Sequence, residues 1–303
     1  MHCHWDAADD GNLTFSCRTN AAHPFRFVTG QLTGSYDPEP AATAKNVVVV
    51  GAGPAGLEAA RVAAERGHSV TLYEKKGSVG GLLEFANNVK GPHENLSVLR
   101  NYFERQMEVL GVNVMLNTEA TADIIAEASP DIVIAATGGV RDTLGLSDTA
   151  GTKVVGIDDF MMADIAEEVV IVGSNVQAID AAMYLLAQGK HVQVVTPNAA
   201  SAIGAGHSFW VKTFTQPNMK ALGVRFWPEA TVTAVNDGSV TVKTATGIEQ
   251  EIACGTVVEA LDCLPNDSLS TGLSCEVVTV GDAARPFNIG EAICSGNAAA
   301  RAI

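Results

Sequence analysis

Residues 45–81 read K-N-V-V-V-V-G-A-G-P-A-G-L-E-A-A-R-V-A-A-E-R-G-H-S-V-T-L-Y-E-K-K-G-S-V-G-G, and this stretch decides the fold. Four consecutive valines, Val47 to Val50, are β-branched and apolar without alternation, which suits a strand buried on both faces. Gly51, Gly53 and Gly56 follow and open a helix that runs to Gly67. The first glycine permits a tight turn, the second lets backbone approach a pyrophosphate, and the third lets helix and strand pack closely. The helix start offers free N–H groups and a partial positive charge. A second strand, residues 69–73, ends at Glu74, where a ribose needs an acceptor for its hydroxyls. Strand, helix, strand and acid at this spacing specify a dinucleotide site.

The same order recurs downstream. A strand over residues 169–172, a helix opening at Gly173 and closing at Gly189, and a strand over 191–196 make a second nucleotide fold. Its fingerprint departs from the first. Asn175 stands where the middle glycine belongs, and Ala178 stands at the last position, where alanine is tolerated. The second strand ends in V-T-P, with neither an acid for a ribose nor an arginine for a 2′-phosphate. This unit either binds a nicotinamide coenzyme or keeps the fold without the ligand, and the Cβ of Asn175 weighs against NAD(P)H.

Other elements follow from period and turn chemistry. Residues 95–110 have helical spacing, with Leu96, Leu99, Tyr102, Phe103, Met107 and Leu110 as core. Strands are expected at 112–116, 131–135, 256–260 and 277–280. Residues 223–242 read as antiparallel strands turning at Asn236-Asp237-Gly238. A helix over 209–222 carries a possible break at Pro217, and a small-residue helix covers 289–302. Small residues at Ala136-Thr137-Gly138-Gly139 suit a backbone that touches a cofactor or crosses between domains, or else a simple tight turn. Asp282, after the last strand, is either a ligand-facing acid or a helix cap.

The chain has 303 residues and a net charge of 19 − 34 = −15. That balance argues against nucleic acid or an anionic membrane as partner, since both attract positive surface. It serves solubility or docking to a basic partner. No apolar run reaches the length of a membrane span and residues 1–6 do not form a signal peptide, so a cytoplasmic location is expected. The six cysteines form no C-x-x-C pair, and disulfides are not expected. Residues 1–44 are polar, hold three prolines and show no sustained period. They are expected to form an extended arm and linker. Cys3 and Cys17 in this arm, with His2, His4 and His23 nearby, are either part of an iron–sulphur site or two reduced thiols.

V-V-V-V-G-A-G-P-A-G-L-E-A-A with Glu74 and Gly80-Gly81, A-T-G at 136–138 and V-G-D at 280–282 resemble the flavoproteins with two dinucleotide-binding domains. More closely, from about Cys17 onward the chain resembles the C-terminal half of the bacterial 2,4-dienoyl-CoA reductase and trimethylamine dehydrogenase family. The resemblance implies an α/β chain of two doubly wound domains, one inserted in the other, with an extended N-terminal arm. The expected divisions are 1–44 for the arm, 45–142 plus 273–303 for a FAD (or ADP) domain, and 143–272 for an NAD(P)-binding-like domain.

The implied cofactor contacts are Gly51, Gly53, Pro54, Ala55, Gly56, Glu74, Lys75, Gly80, Gly81, Leu82, Ala120, Thr137, Gly138, Gly281, Asp282 and Ile289. Cys17-Arg18-Thr19-Asn20 resembles the family's last cluster cysteine and its asparagine, with Cys3 as the preceding ligand of a 4Fe–4S cluster that a partner chain would complete. The family's enzymes begin with an FMN-bearing barrel, and only about 44 residues precede the first strand here. A partner carrying that barrel is therefore expected. It would reduce an activated C=C bond or oxidise an N-methyl amine, with this chain as the FAD-binding electron-transfer subunit. A stand-alone NAD(P)H-dependent flavin reductase and a non-catalytic ADP-binding scaffold are the alternatives. No residue is assigned to substrate acid–base or nucleophilic chemistry.

Overall fold

The computed structural model describes residues 38–91, 96–205, 207, 209–266, 268–269 and 273–303, with backbone alone at 209–211 and in four N-terminal strands. Those strands are β1 (Cys3–Ala7), β2 (Leu13–Cys17), β3 (Asn20–Val28) and β4 (Gln31–Thr33). They pair in sequence order as an antiparallel sheet. The arm is thus extended in backbone and also hydrogen-bonded to itself. Its polar, proline-containing sequence carries no alternation that would announce such pairing.

The described chain then enters β5 (Asn46–Val50), whose four valines are buried. Helix α1 (Pro54–Glu65) follows, with a proline in its first turn as expected where an N–H has no helical partner. Next come β6 (Ser69–Tyr73), α2 (Leu82–Lys90), α3 (Leu96–Val109), β7 (Asn113–Met115), α4 (Ala122–Glu127) and β8 (Ile132–Ala135). A two-residue strand, β9 (Val140–Arg141), closes this run. Leu99, Phe103 and Met107 of α3 are buried as expected, whereas Tyr102 is 43% exposed.

The second run holds β10 (Lys153–Gly156), β11 (Glu168–Val172), α5 (Val176–Ala187), β12 (His191–Val195), α6 (Phe209–Ala221) and β13 (Arg225–Trp227). It continues through β14 (Ala230–Asn236), β15 (Ser239–Thr244), β16 (Glu249–Ala253) and β17 (Thr256–Glu259). The chain finishes with β18 (Cys263–Leu264), β19 (Glu276–Thr279) and α7 (Ile289–Ala302).

One unit comprises residues 1–87, 92–140 and 263–303, and the other 88–91 and 141–262. The sequence places the return boundary at 272/273, ten residues later than 262/263. β18 pairs with β9, and Gly139 backs onto Cys263 so closely that a Cβ there would lie 3.0 Å from the cysteine Cβ. A two-residue strand gives no periodic signal from which to read that pairing.

The first unit holds a parallel sheet in the order β19-β8-β5-β6-β7. Its core gathers Val47, Val49, Leu57, Leu72, Phe103, Ile132, Ile134 and Ile293. Helix α1 packs on α7 through small residues: a Cβ on Gly296 would lie 2.1 Å from the Ala55 carbonyl. Beside that contact, Arg61 makes paired 2.8 Å bonds to Glu58, and Asn297 donates to Glu58 at 2.7 Å, so the buried charges are compensated.

The second unit has a parallel sheet in the order β10-β17-β11-β12-β13, and a separate antiparallel sheet β14-β15-β16. Strand β13 therefore runs parallel to β12, not antiparallel within the 223–242 stretch as the sequence suggested. Only from Ala230 onward does the antiparallel reading hold, with its turn at Asn236–Ser239. Helix α6 runs through Pro217 without ending there.

His68, 6% exposed, carries a pH dependence. Its Nδ1 accepts from the Lys45 N–H at 3.1 Å, which leaves the ring proton on Nε2, buried and without a hydrogen-bond partner. Burial, then the charges of Arg66 and Lys45, push the imidazole below its ordinary value. The native state thus takes up this proton later than the unfolded chain does. Stability is full above about pH 6.5 and declines as pH falls below it. Denaturant unfolding from pH 7.5 to 5.5 should show that decline, and His68→Gln should flatten it. An unchanged slope in the variant would contradict the assignment.

Candidate dinucleotide site

All the expected cofactor positions with described side chains fall in the first unit, at or beyond the C-terminal ends of its strands, where open parallel sheets hold ligands. Gly51, Gly53, Pro54, Ala55 and Gly56 follow β5, Glu74 and Lys75 follow β6, and Thr137 and Gly138 follow β8. Gly281 and Asp282 follow β19, Ile289 opens α7, Ala120 lies beyond β7, and Gly80, Gly81 and Leu82 lead into α2.

The three fingerprint glycines differ in what surrounds them. Gly51 has φ +102, and a Cβ there would lie 2.3 Å from the Ala136 carbonyl. On Gly56 it would approach the Gly51 carbonyl to 1.9 Å, whereas on Gly53 it would meet nothing within 4 Å. Two glycines therefore close the turn, and the middle one faces open space. That is the division of labour a pyrophosphate requires, since the phosphate occupies the space a side chain would take. Helix α1 has no side-chain cap and no acid in its first turn, so its N–H groups remain available to an anion.

The turn at Gly80-Gly81 is held against this loop. Gly80 N–H donates to the Ala52 carbonyl at 2.8 Å, and a Cβ on Gly81 would lie 3.0 Å from the Gly53 Cα. Glu74 is 8% exposed. Its two oxygens accept from the N–H groups of Ala52 and Lys76, both at 2.8 Å, which fixes the carboxylate beside the fingerprint. Each oxygen keeps a second lone pair for a ribose hydroxyl. Sequence reasoning foresaw the acid and missed the two amides that orient it.

The Thr137 hydroxyl is buried with no hydrogen-bond partner, a group left for something that is not protein. Gly281, at φ +63, donates its N–H to Ser295 Oγ at 2.9 Å. Asp282 Oδ1 accepts from the Phe287 N–H at 3.3 Å, and Asn288 is the residue that caps α7. Asp282 therefore does not serve as that helix's cap. An open face at Gly53, free helix N–H groups, an oriented acid and an orphaned hydroxyl together fit a dinucleotide.

The second fingerprint is arranged otherwise. Asn175 caps α5, its Oδ1 accepting from the Ala178 N–H at 3.0 Å. Its Nδ2 donates to the carbonyls of Ala260 and Leu261 and to Asp262 Oδ1. Thr196, in the place that Glu74 holds in the first unit, donates to Ser174 Oγ at 3.0 Å, and Asn198 donates to the same hydroxyl. Gln177 is held by Arg141, which also pairs with Asp158 through two bonds of 2.9 and 2.8 Å. The groups at this turn bond to one another.

Cys3 and Cys17 are register partners across the β1–β2 pair, and their thiols lie outside the described side chains. His2, Arg18 and Thr19 lie outside the described residues altogether. Among the described residues no group of three or more His, Cys, Asp or Glu could hold a metal ion. None of the described thiols, Cys254, Cys263, Cys275 and Cys294, is in a disulfide, and burial pushes the Cys254 thiol up to about 11, away from thiolate reactivity. No helix among the described residues is long and apolar enough to cross a membrane.

Residues 45–282 match the pyridine nucleotide-disulphide oxidoreductase family. The chain is 36% identical over 190 residues to an NADH oxidase of Thermoanaerobacter brockii, an alignment covering 61% of this chain and 28% of that protein. It is 38% identical over 153 residues to a cinnamate reductase of Clostridium sporogenes, covering 50% of this chain and 23% of that one. Its fold matches a solved 2-naphthoyl-CoA reductase with a TM-score of 0.77 and 33% identity, over 88% of this chain and 41% of the other. The chain thus spans less than half the length of each relative. By this match and its two nucleotide folds, the chain belongs to the pyridine nucleotide-disulphide oxidoreductase family and corresponds to the dinucleotide-binding half of flavoproteins related to 2,4-dienoyl-CoA reductase and trimethylamine dehydrogenase.

Proposed function

We propose that this chain is the FAD-binding electron-transfer part of a flavin oxidoreductase. The observation that carries the reading is the first fingerprint, where Gly53 alone of the three glycines faces open space beside the oriented Glu74. FAD, when bound, supplies the redox chemistry. The protein's residues hold and orient it: α1 and Gly53 the pyrophosphate, Glu74 the adenosine ribose, Thr137 and the Gly281–Asp282 turn the flavin half. Substrate chemistry belongs to an FMN-bearing barrel, which reduces an activated C=C bond or oxidises an N-methyl amine. The short share of each relative that the chain spans supports a further catalytic part.

Cys3 and Cys17 are proposed as two ligands of a 4Fe–4S cluster at the junction with that barrel, within a cytoplasmic assembly. Two further outcomes are distinct. ADP in place of FAD makes the chain a non-catalytic scaffold. Fast reduction by a nicotinamide coenzyme makes it a self-sufficient flavin reductase. The absorption spectrum of the purified protein separates the first from FAD: flavin bands in the visible are expected, and adenine absorbance alone would overturn the FAD reading. Iron analysis of the protein purified with its native partners tests the cluster.

A further inference from the structure

We propose that Arg100 is the cation of the first nucleotide site and pairs with the dinucleotide's pyrophosphate, an inference that rests on that site holding FAD or ADP. The candidate pyrophosphate loop has no positive side chain of its own. From Gly51 to Leu57 the sequence is G-A-G-P-A-G-L, and α1 carries no side-chain cap. A bound pyrophosphate would bring two negative charges to a chain already at −15. Helix N–H groups offset part of that charge.

Arg100, on α3, reaches the turn that covers this loop. Its Cδ and Cγ lie 3.1 and 3.3 Å from where a Gly80 Cβ would stand. Gly80 itself bonds to Ala52, and Gly81 abuts Gly53, so the arginine stem packs on the segment touching the open glycine. The guanidinium's partner among the described residues is a long ion pair with Glu104, one turn along the same helix, which a ligand can displace. Its Nε is buried without a hydrogen bond, and the Glu104 carboxylate stands at 3.9 Å, beyond hydrogen-bond distance. The side chain as a whole is 35% exposed, so its head can turn towards a ligand. Guanidinium pairs with phosphate oxygens through a planar fork of donors, which a lysine does not reproduce.

The experiment compares ADP and adenosine on nucleotide-free protein by titration calorimetry. Arg100→Ala should weaken ADP by about tenfold or more, the size of one charge-assisted hydrogen bond, and leave adenosine within about twofold. Arg100→Lys should fall between wild type and Arg100→Ala for ADP. Should Arg100→Ala fail to fold, Arg100→Gln, which keeps most of the stem, replaces it. In the wild type, added salt should weaken ADP more than adenosine, and Arg100→Gln should shrink that difference. Equal weakening of both ligands would mean that Arg100 only packs against Gly80, and unchanged ADP affinity would mean no contact; either overturns the proposal. Wild-type protein that binds neither ADP nor FAD overturns the site itself, and the Arg100 role with it.

Discussion

Gly53→Val should yield a folded protein without bound flavin. A Cβ at Gly53 would meet no atom within 4 Å beyond its chain neighbours, and the backbone there has φ −75, which any residue adopts. The cost to the fold is that of a poor N-cap residue, about 1 kcal/mol. The cost to the ligand is expected to be much larger, because the valine would stand where the proposed site brings a pyrophosphate against the α1 N–H groups. Losing two charge-assisted hydrogen bonds at roughly 1.5–3 kcal/mol each weakens binding by more than about a hundredfold. Gly56→Val serves as the contrast. Its Cβ would lie 1.9 Å from the Gly51 carbonyl and 3.1 Å from the Ala136 Cβ, with backbone and helix on both sides. That variant should lose the fold, since overpacking against backbone exceeds the usual 1–3 kcal/mol of a crowded core. Thermal unfolding of nucleotide-free protein and flavin titration separate the two outcomes. Full flavin occupancy and a wild-type spectrum in Gly53→Val would refute the pyrophosphate assignment.

The contrast marks what was legible in the sequence. Spacing alone identified Gly51, Gly53 and Gly56, because three glycines after a valine run serve only a few backbone geometries. The run of valines announced a strand covered on both faces, and all four are buried. What spacing does not carry is the company each group keeps across the chain. Glu74 is oriented by Ala52, 22 residues away, and Glu58 is bonded by Asn297, 239 residues away. Such pairs exist only once the sheet order is set. Short elements were also silent: α2 and α4 have 9 and 6 residues, and β13 has 3, too few to display a period. The direction of β13 depends on which strand it joins, a property of topology and not of its three residues.

The second fold provides the other large effect. NADH and NADPH at micromolar concentration should not reduce the flavin-loaded protein rapidly under anaerobic conditions. The reason is occupancy by the protein's own groups. Asn175 Oδ1 takes the Ala178 N–H that a phosphate would use, and its Nδ2 is spent on Ala260, Leu261 and Asp262. Thr196 bonds to Ser174 where a ribose would need an acid. Asn175→Gly alone should change little. Glycine caps a helix nearly as well as asparagine, within a few tenths of a kcal/mol, and opens the turn, but no acceptor for the ribose then exists. Adding Thr196→Glu supplies the acid at the position that Glu74 holds in the first unit. The double variant should therefore gain measurable affinity for NADH where each single variant gains none. NADPH should bind it more weakly, because the new carboxylate repels the 2′-phosphate. Rapid flavin reduction of the wild type by either coenzyme would reverse this account, and would make the chain a self-sufficient flavin reductase whose second site works in spite of Asn175.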